Sequence, residues 1–192
     1  MNDTITVVSG LPRSGTSLLM QMLAAGGMEV YTDGERAADD DNPRGYLELE
    51  AVKRLKHDAS WLPAARGKAV KVISHLLGDL PDGEDYRVVF LERDIEEVLD
   101  SQQKMLERLG RPGAPRDVVR RAFAAHLAGF DRLTASREDM AVLRLPYAEI
   151  IATPKAAAER LAGFVGDASP APLDAAAMAA AVDPALYRNR RG

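Results

Sequence analysis

The residues with the clearest chemistry stand in one segment near the start of the chain, Gly10-Leu-Pro-Arg-Ser-Gly-Thr-Ser17. Gly10 and Gly15 can adopt backbone conformations that other residues resist, so successive N–H groups can converge on an anion. A helix that begins directly after Gly15 would add its positive end. The hydroxyl donors of the segment are Ser14, Thr16 and Ser17. The segment therefore predicts a phosphate-binding loop between a strand and a helix.

One position distinguishes this loop from those that bind nucleoside triphosphates. Those loops end in Gly-Lys-Ser or Gly-Lys-Thr, and their lysine reaches the β- and γ-phosphates. Here Thr16 stands at the lysine position, and the cation comes earlier, at Arg13. The sequence thus predicts a phosphate ligand, but the loop lacks the lysine that triphosphate hydrolysis normally requires. The alternative interpretation is a glycine-containing strand-to-helix turn that binds no ligand.

A second cation and hydroxyl follow a later predicted strand. Arg93 comes at the end of that strand, and Ser101 lies eight residues further on, within a predicted helix. The planar guanidinium of an arginine suits a phosphate group. Eight residues make two helical turns plus about 80°, so Ser101 faces the same side as the helix start. The alternatives are an ion pair of Arg93 with Glu92 or Asp94, and a solvated Ser101.

These residues together resemble the sulfotransferases that use 3′-phosphoadenosine 5′-phosphosulfate (PAPS). The first signature of that family stands here as Pro12-Arg13-Ser14-Gly15-Thr16-Ser17, and the second as Arg93 with Ser101. A weaker third likeness is Leu145-Pro-Tyr-Ala-Glu-Ile150, followed by a predicted helix. The three run in order from residue 5 to residue 166, so the resemblance covers most of the chain.

The resemblance implies a donor site and its occupants. The loop would hold the 5′-phosphosulfate of PAPS with Arg13 at the sulfuryl group, while Arg93 and Ser101 would hold the 3′-phosphate. The product would be 3′-phosphoadenosine 5′-phosphate (PAP), and no metal is required. A late basic contact to the 3′-phosphate, common in the family, could be supplied by Arg188 and Arg190, although terminal basic residues are often only solvated. The donor-binding residues carried over are Pro12, Arg13, Ser14, Gly15, Thr16, Ser17, Arg93, Ser101, Arg188 and Arg190.

Two residues are candidates for the base that accepts the acceptor's proton. Glu48 would open a helix after the glycine-containing segment ending at Gly45, where some branches of the family use a glutamate. His75 follows a predicted strand, roughly where small-molecule sulfotransferases have Lys-x-His, but Lys71 lies four residues before it and not two. Glu48 could instead only stabilise a helix N-terminus, and His75 could be a surface histidine. With Arg13 they are the predicted catalytic residues, and Glu48 is preferred as the base.

Strands and helices alternate along the chain, which predicts a parallel sheet with right-handed crossovers. The predicted fold is a P-loop-type three-layer α/β/α domain with a mostly parallel sheet of about five strands, spanning residues 1–192. Its predicted strands are Thr4–Ser9, Met28–Tyr31, Ala69–Ile73, Arg87–Leu91 and Ala141–Leu145. Its predicted helices are Ser17–Ala25, Glu48–Leu62, Ile95–Leu109, Asp117–Thr134, Pro154–Val165 and residues 173–182. Every candidate site follows a strand, as ligand sites do in such sheets.

Composition narrows the classes of partner. The chain has 192 residues, of which 46% are hydrophobic and 28% charged, as in folded globular proteins. Its net charge of −4 argues against general nucleic-acid binding, although a few arginines can still define a local anion pocket. The absence of cysteine excludes disulfides and thiolate metal sites. No apolar run approaches the ~20 residues of a membrane span and the N-terminus lacks a basic signal region, so a cytoplasmic location is expected.

The predicted function is transfer of a sulfuryl group from PAPS to a hydroxyl or amine of an unidentified acceptor. Two rivals stay open at this point. A P-loop small-molecule kinase would bind ATP and Mg²⁺, which Thr16 at the lysine position disfavours. A non-catalytic nucleotide-binding protein of the same fold would bind the donor without turnover. The oligomeric state is left open.

Overall fold

A parallel sheet forms the centre of the molecule. The computed structural model describes residues 3–39 and 42–186. Within them the β-branched segment at the start of the chain becomes a fully buried strand, flanked on both sides by others in the order β2-β1-β3-β4. All three pairings are parallel. The strands are β1 (Thr4–Gly10), β2 (Ala69–Lys71), β3 (Asp85–Glu92) and β4 (Met140–Pro146).

Helices cover both faces of the sheet. In the described part of the chain they are α1 (Thr16–Ala25), α2 (Leu62–Ala65), α3 (Ile95–Arg108), α4 (Arg116–Ser136), α5 (Tyr147–Ala152), α6 (Pro154–Val165) and α7 (Ala175–Ala180). Alternate residues of a strand point to opposite faces, so Val7 belongs to one core and Val8 to the other. The core around Val7 includes Trp61 and Phe130, and the core around Val8 includes residues of α1 and α6. The predicted three-layer α/β architecture with a parallel sheet is confirmed.

The sheet has four strands in the described residues, where about five were predicted. The segment Met28–Tyr31 makes only an isolated bridge, between Val30 and Ala69. The hydrogen bonds of this bridge join Ala69 to the carbonyl oxygen of Glu29 at 2.9 Å and to the N–H of Tyr31 at 2.8 Å. The remaining predicted strands are present, and each of their ends lies within two residues of the predicted one.

The predicted helix Glu48–Leu62 is wrong. Most of the apolar residues of this segment are buried as expected. They lie in or next to two shorter elements, a 3₁₀ helix at Glu50–Arg54 and the short α2. Between the two, the side chain of Asp58 accepts a hydrogen bond of 3.0 Å from the backbone N–H of Ser60. Such a local turn competes with helical hydrogen bonding and ends the helix. Glu48 therefore precedes a 3₁₀ helix and does not open an α-helix.

A segment of the candidate site lies at the carboxyl end of each strand. The predicted phosphate loop follows β1, Lys71 is the last residue of β2, Arg93 follows β3, and Tyr147 begins α5 directly after β4. The α5 helix was not predicted. Among residues 3–39 and 42–186, no helix has both the length and the apolar character needed to cross a membrane.

Candidate functional site

The loop after β1 is a tight turn that its glycines make possible. A Cβ on Gly10 would lie 2.5 Å from Ser14 Oγ and 2.9 Å from the carbonyl oxygen of Leu91. Gly15 has a φ of 104°, and a Cβ there would lie 2.6 Å from the ring of Tyr147. Arg13 itself is in the left-handed region, with a φ of 69°. The loop is thus fixed by close packing on β3 and α5 together with its own turn, in which the N–H of Ser14 donates a hydrogen bond of 3.1 Å to the carbonyl oxygen of Leu11.

The hydroxyl of Ser14 points into this turn. Ser14 is 1% exposed, and its Oγ has no hydrogen-bond partner within the described part of the chain. A buried hydroxyl that lacks a partner is unfavourable by roughly 1–3 kcal/mol. Its burial keeps this hydroxyl off the cavity described below, so the side-chain donors that fit a phosphate or phosphosulfate group are those of Arg13, Thr16 and Ser17, which line that cavity.

The two signature segments meet in one cleft, 88 residues apart in sequence. The Nε atom of Arg13 donates a hydrogen bond of 3.1 Å to Ser101 Oγ, and Nη1 of Arg93 donates one of 3.1 Å to the carbonyl oxygen of Arg13. Burial is the largest influence on the pKa of Arg13 and lowers it, against the opposing effect of Tyr46. Arg13, Arg93 and Ser101 thus form one connected group at the carboxyl ends of β1 and β3.

Arg93 is held by a buried carboxylate and an aromatic ring. Its Nε lies 3.0 Å from Glu97 Oε2, one turn into α3, and these two side chains are only 8% and 5% exposed. Its guanidinium carbon lies 4.7 Å from the ring centroid of Tyr147. Two contacts on different sides fix the plane of the guanidinium. The partner of Arg93 is therefore Glu97, which sequence reasoning did not identify.

The acids next to Arg93 in sequence have other roles. Glu92 pairs with Arg144 at 2.8 Å. Asp94 caps α3, because its side chain accepts hydrogen bonds from the backbone N–H groups of Glu96 and Glu97. Among the described residues, Arg93 therefore pairs with Glu97 and not with Glu92 or Asp94.

A cavity of about 630 Å³ lies above these strand ends. The predicted site residues that line it are Pro12, Arg13, Gly15, Thr16, Ser17, Glu48, Arg93 and Ser101. Its lining also includes residues outside the predicted catalytic and donor-binding set, namely Arg36, Tyr46, Lys71, Ile73, Lys104, Met105, Arg108, Tyr147 and Asp183. Ser14 lies beneath the loop rather than on the cavity wall. The cavity therefore joins the phosphate loop to one of the two base candidates.

Glu48 lies in the cavity between two cations. Its carboxylate accepts hydrogen bonds of 3.2 and 3.0 Å from Nη1 of Arg36, and its Oε1 is 3.7 Å from Nζ of Lys71. The guanidinium carbon of Arg36 also stacks 3.3 Å from the ring centroid of Tyr46. The carboxylate is a quarter exposed, so it can still meet a ligand in the cavity.

Lys71 lines the cavity but was not among the predicted site residues. It is 4% exposed, and its Nζ donates to Ser17 Oγ at 2.9 Å and to the carbonyl oxygen of Tyr46. Burial lowers the pKa of Lys71 to about 8, although the nearby Glu48 opposes the shift. The available signal was a lysine inside the apolar run Ala69–Ile73, because a lysine in a strand buried on both faces needs a specific reason.

His75 does not line the cavity. Its ring stacks on that of His126 from α4, with centroids 3.9 Å apart. Nε2 of His126 is 2.9 Å from Ser74 Oγ, and burial and the neighbouring His75 both lower the pKa of His126. The structure therefore brings Glu48 to the loop and places His75 in a contact between a 3₁₀ helix and α4.

Arg188 and Arg190 lie outside the described residues. The chain shortly before them is held against the cavity, because Arg44 donates hydrogen bonds of 2.7 Å to the carbonyl oxygen of Ala181 and 3.1 Å to Asp183. Asp183 lines the cavity. The contact of the tail with a 3′-phosphate stays a prediction.

A comparison with solved structures finds the same fold. The chain is similar to the structure titled "Sulfotransferase Domain from the Curacin Biosynthetic Pathway", with a TM-score of 0.51 and 14% sequence identity. The match covers 98% of this chain and 78% of that one. No family model matches the sequence, and no curated protein matches it. At this identity the likeness concerns the fold, so this chain has a sulfotransferase-like α/β fold.

Proposed function

We propose that this protein is a sulfotransferase that moves the sulfuryl group of PAPS to a hydroxyl or amine of its acceptor. The observation that carries the proposal is the meeting of Arg13, Arg93 and Ser101 in one cleft, next to a loop without the triphosphate lysine. A sulfotransferase-like fold adds support. We assign the cytoplasm as the expected location, from the sequence alone.

The donor's two charged ends would lie on the two signature segments. The loop N–H groups and Arg13 would bind the 5′-phosphosulfate, and Arg93 and Ser101 would bind the 3′-phosphate. Arg93 uses Nε for Glu97 and Nη1 for the carbonyl oxygen of Arg13, so its guanidinium is already fixed beside the loop. A guanidinium already fixed in its plane loses little conformational entropy on binding.

Transfer needs in-line geometry, stabilised charge and a base. The bound donor supplies an activated sulfuryl group whose bond to the phosphate oxygen breaks as the acceptor oxygen or nitrogen bonds to sulfur. Arg13 and the loop stabilise the charge that develops on that phosphate oxygen. Glu48 accepts the acceptor's proton, because it lines the same cavity as the loop whereas His75 does not.

Lys71 has a positioning role in this scheme. Its ammonium orients Ser17 Oγ at the first turn of α1 and lies 3.7 Å from Glu48. It therefore links the phosphate loop to the base. Its positive charge also lies on the wall of the cavity in which the sulfuryl group would be transferred.

A binding titration tests the proposal. We expect PAP to bind with micromolar affinity and ATP–Mg²⁺ to bind more weakly, measured by calorimetry on the purified chain. Arg93→Ala should abolish PAP binding, and Arg132→Ala, which removes an exposed arginine of α4, should preserve it. Preferential binding of ATP–Mg²⁺ would favour a small-molecule kinase. PAP binding without transfer from labelled PAPS to any of a panel of alcohols and amines would favour a non-catalytic nucleotide-binding protein.

A further inference from the structure

The hydroxyl of Ser17 stands where phosphate loops hold a metal ion. In loops that end in Gly-Lys-Ser or Gly-Lys-Thr, the final hydroxyl binds the Mg²⁺ that accompanies a nucleoside triphosphate. Ser17 has that place in Gly15-Thr16-Ser17, and it lies in the first turn of α1. The groups that contact this hydroxyl therefore decide whether the loop has room for a metal ion.

Two nitrogen atoms already donate hydrogen bonds to Ser17 Oγ. Nδ2 of Asn42 donates at 2.7 Å, and Nζ of Lys71 donates at 2.9 Å. A serine hydroxyl has two lone pairs, and these two donors use both of them. A metal ion needs one of the lone pairs, so in this protein it would bind Ser17 only by displacing a side chain.

The ammonium of Lys71 lies among oxygen atoms of the kinds that bind Mg²⁺. Besides Ser17 Oγ, it has the carbonyl oxygen of Tyr46 as an acceptor, and Oε1 of Glu48 is 3.7 Å away. Ser17 Oγ and the carbonyl oxygen of Tyr46 are 3.5 Å apart. Hydroxyl, carbonyl and carboxylate oxygens are ligands of hard divalent cations, and Mg²⁺ completes its shell with phosphate oxygens and water. Lys71 thus gathers a set of oxygens that suits a metal ion.

This ammonium is held in place close to the loop. Lys71 is the last residue of β2 and is 4% exposed, and it lines the same cavity as Arg13 and Thr16. Burying a charge is unfavourable unless nearby groups compensate for it, and the surrounding oxygens do so here. Burial lowers the pKa of Lys71 to about 8, so the ammonium form still predominates at neutral pH. The site therefore contains a fixed cation of its own.

We infer that Lys71 takes the place of the divalent metal ion of phosphate loops, and that it selects a nucleotide donor that binds without metal. Its ammonium supplies a positive charge beside the loop and holds Ser17 and Glu48 in position. Under the proposed function, on which the inference rests, PAPS is such a donor. ATP–Mg²⁺ is disfavoured, because its metal ion would meet a hydroxyl whose lone pairs are already used. Lys71 is thus a positioning residue that also determines the class of donor.

The experiment compares the affinity for PAP in Mn²⁺ with the affinity in EDTA, measured by calorimetry. For the unmodified chain we expect a ratio of about one. Lys71→Ala removes the ammonium and leaves its oxygen partners for the metal ion, so Mn²⁺ should raise the affinity for PAP about 10-fold or more. The double variant Lys71→Ala/Glu48→Gln lacks the carboxylate, and its ratio should return to about one. The matched control Lys68→Ala removes a lysine just before β2 that does not line the cavity, and it should behave as the unmodified chain does.

The outcomes separate this inference from the function on which it rests. Absence of PAP binding by the unmodified chain, both with and without Mn²⁺, contradicts the proposed function. PAP binding that Mn²⁺ strengthens in the unmodified chain overturns the inference alone, and so does a folded Lys71→Ala whose PAP binding Mn²⁺ does not strengthen. A response to Mn²⁺ that the double variant keeps also overturns it, because the metal ion is then bound elsewhere. A thermal melt checks that Lys71→Ala is folded, and if it is not, Lys71→Ser is measured in its place with the same outcomes.

Discussion

The two ends of the cavity are built in different ways. At the end proposed to bind the donor, the donor end, buried groups fix each other: the Arg93–Glu97 pair is 8% and 5% exposed, and Gly15 packs on the ring of Tyr147. At the end proposed to bind the acceptor, the acceptor end, long side chains meet nearer the surface, as in the Arg36–Glu48 pair at 47% and 25% exposure. The donor end is thus the more rigid of the two. The two ends should therefore respond differently to substitution.

The largest expected effect separates turnover from donor binding. Glu48→Gln removes the proposed base, and we expect turnover to fall by roughly 10²–10⁴-fold while PAP affinity is preserved. His75→Ala should cause the smaller loss, because His75 lies outside the cavity. Transfer from labelled PAPS to the acceptor panel measures both variants. An unchanged rate for Glu48→Gln would remove this residue as the base.

Rigidity of the donor end is tested at its tightest contact. Gly15→Ala adds a Cβ 2.6 Å from the Tyr147 ring at a φ of 104°, so we expect the free energy of unfolding to fall by about 2–4 kcal/mol and PAP affinity to fall with it. Denaturant unfolding and PAP titration measure the two effects. Gly163→Ala in α6 is the control: no atom lies within 4 Å of the added Cβ, and alanine should stabilise the helix by up to about 1 kcal/mol. Equal effects of the two substitutions would contradict a rigid donor end.

Lys71 lies between the two ends of the cavity. Because burial lowers its pKa, we expect the free energy of unfolding to depend on pH. Its pKa is about 8 in the folded protein and 10.5 ordinarily, so the unfolded chain binds more protons between these values. Stability contributed by this residue therefore rises with pH in that window, by roughly 2 kcal/mol between pH 8 and pH 9.5. Denaturant unfolding at the two pH values should show this rise in the unmodified chain relative to Lys71→Met. If the free energy of unfolding changed with pH in the same way in both proteins, the lowered pKa of Lys71 would be contradicted.

The smallest effect is expected at the exposed rim of the acceptor end. Arg44→Gln breaks ion pairing with Asp183, and both side chains are more than a third exposed. We expect a loss of less than about 1 kcal/mol in the free energy of unfolding. A thermal or denaturant melt measures it. A loss as large as that of Gly15→Ala would remove the contrast between the two ends.

Sequence reasoning succeeded where strand ends fix the positions of residues. The alternation of strands and helices predicted the layered fold, and the glycine pattern and the Arg93–Ser101 spacing predicted two segments that do meet in one cleft. The parallel order of strands is enough for this, because carboxyl ends of adjacent parallel strands lie together. Whether these residues bind PAPS stays a prediction.

Sequence reasoning failed where contacts join segments distant in the chain. The spacing of Leu49, Val52 and Leu55 fits a helix and a 3₁₀ turn alike, and at the start of the observed 3₁₀ helix the N–H of Glu50 donates a hydrogen bond to Asp33, 17 residues away. The importance of Lys71 follows from Ser17 and Tyr46, which are 54 and 25 residues away. Local patterns contain no information on such partners.

The contact between Gly15 and the Tyr147 ring makes these two positions interdependent. A side chain at one is compatible only with a smaller group at the other, so a redesign of the loop must change both together. Tyr147→Leu combined with Gly15→Ala would relieve the overlap but leave the positive φ, and only part of the lost stability would return. A double-mutant cycle would therefore separate the steric share of the glycine requirement from its backbone share.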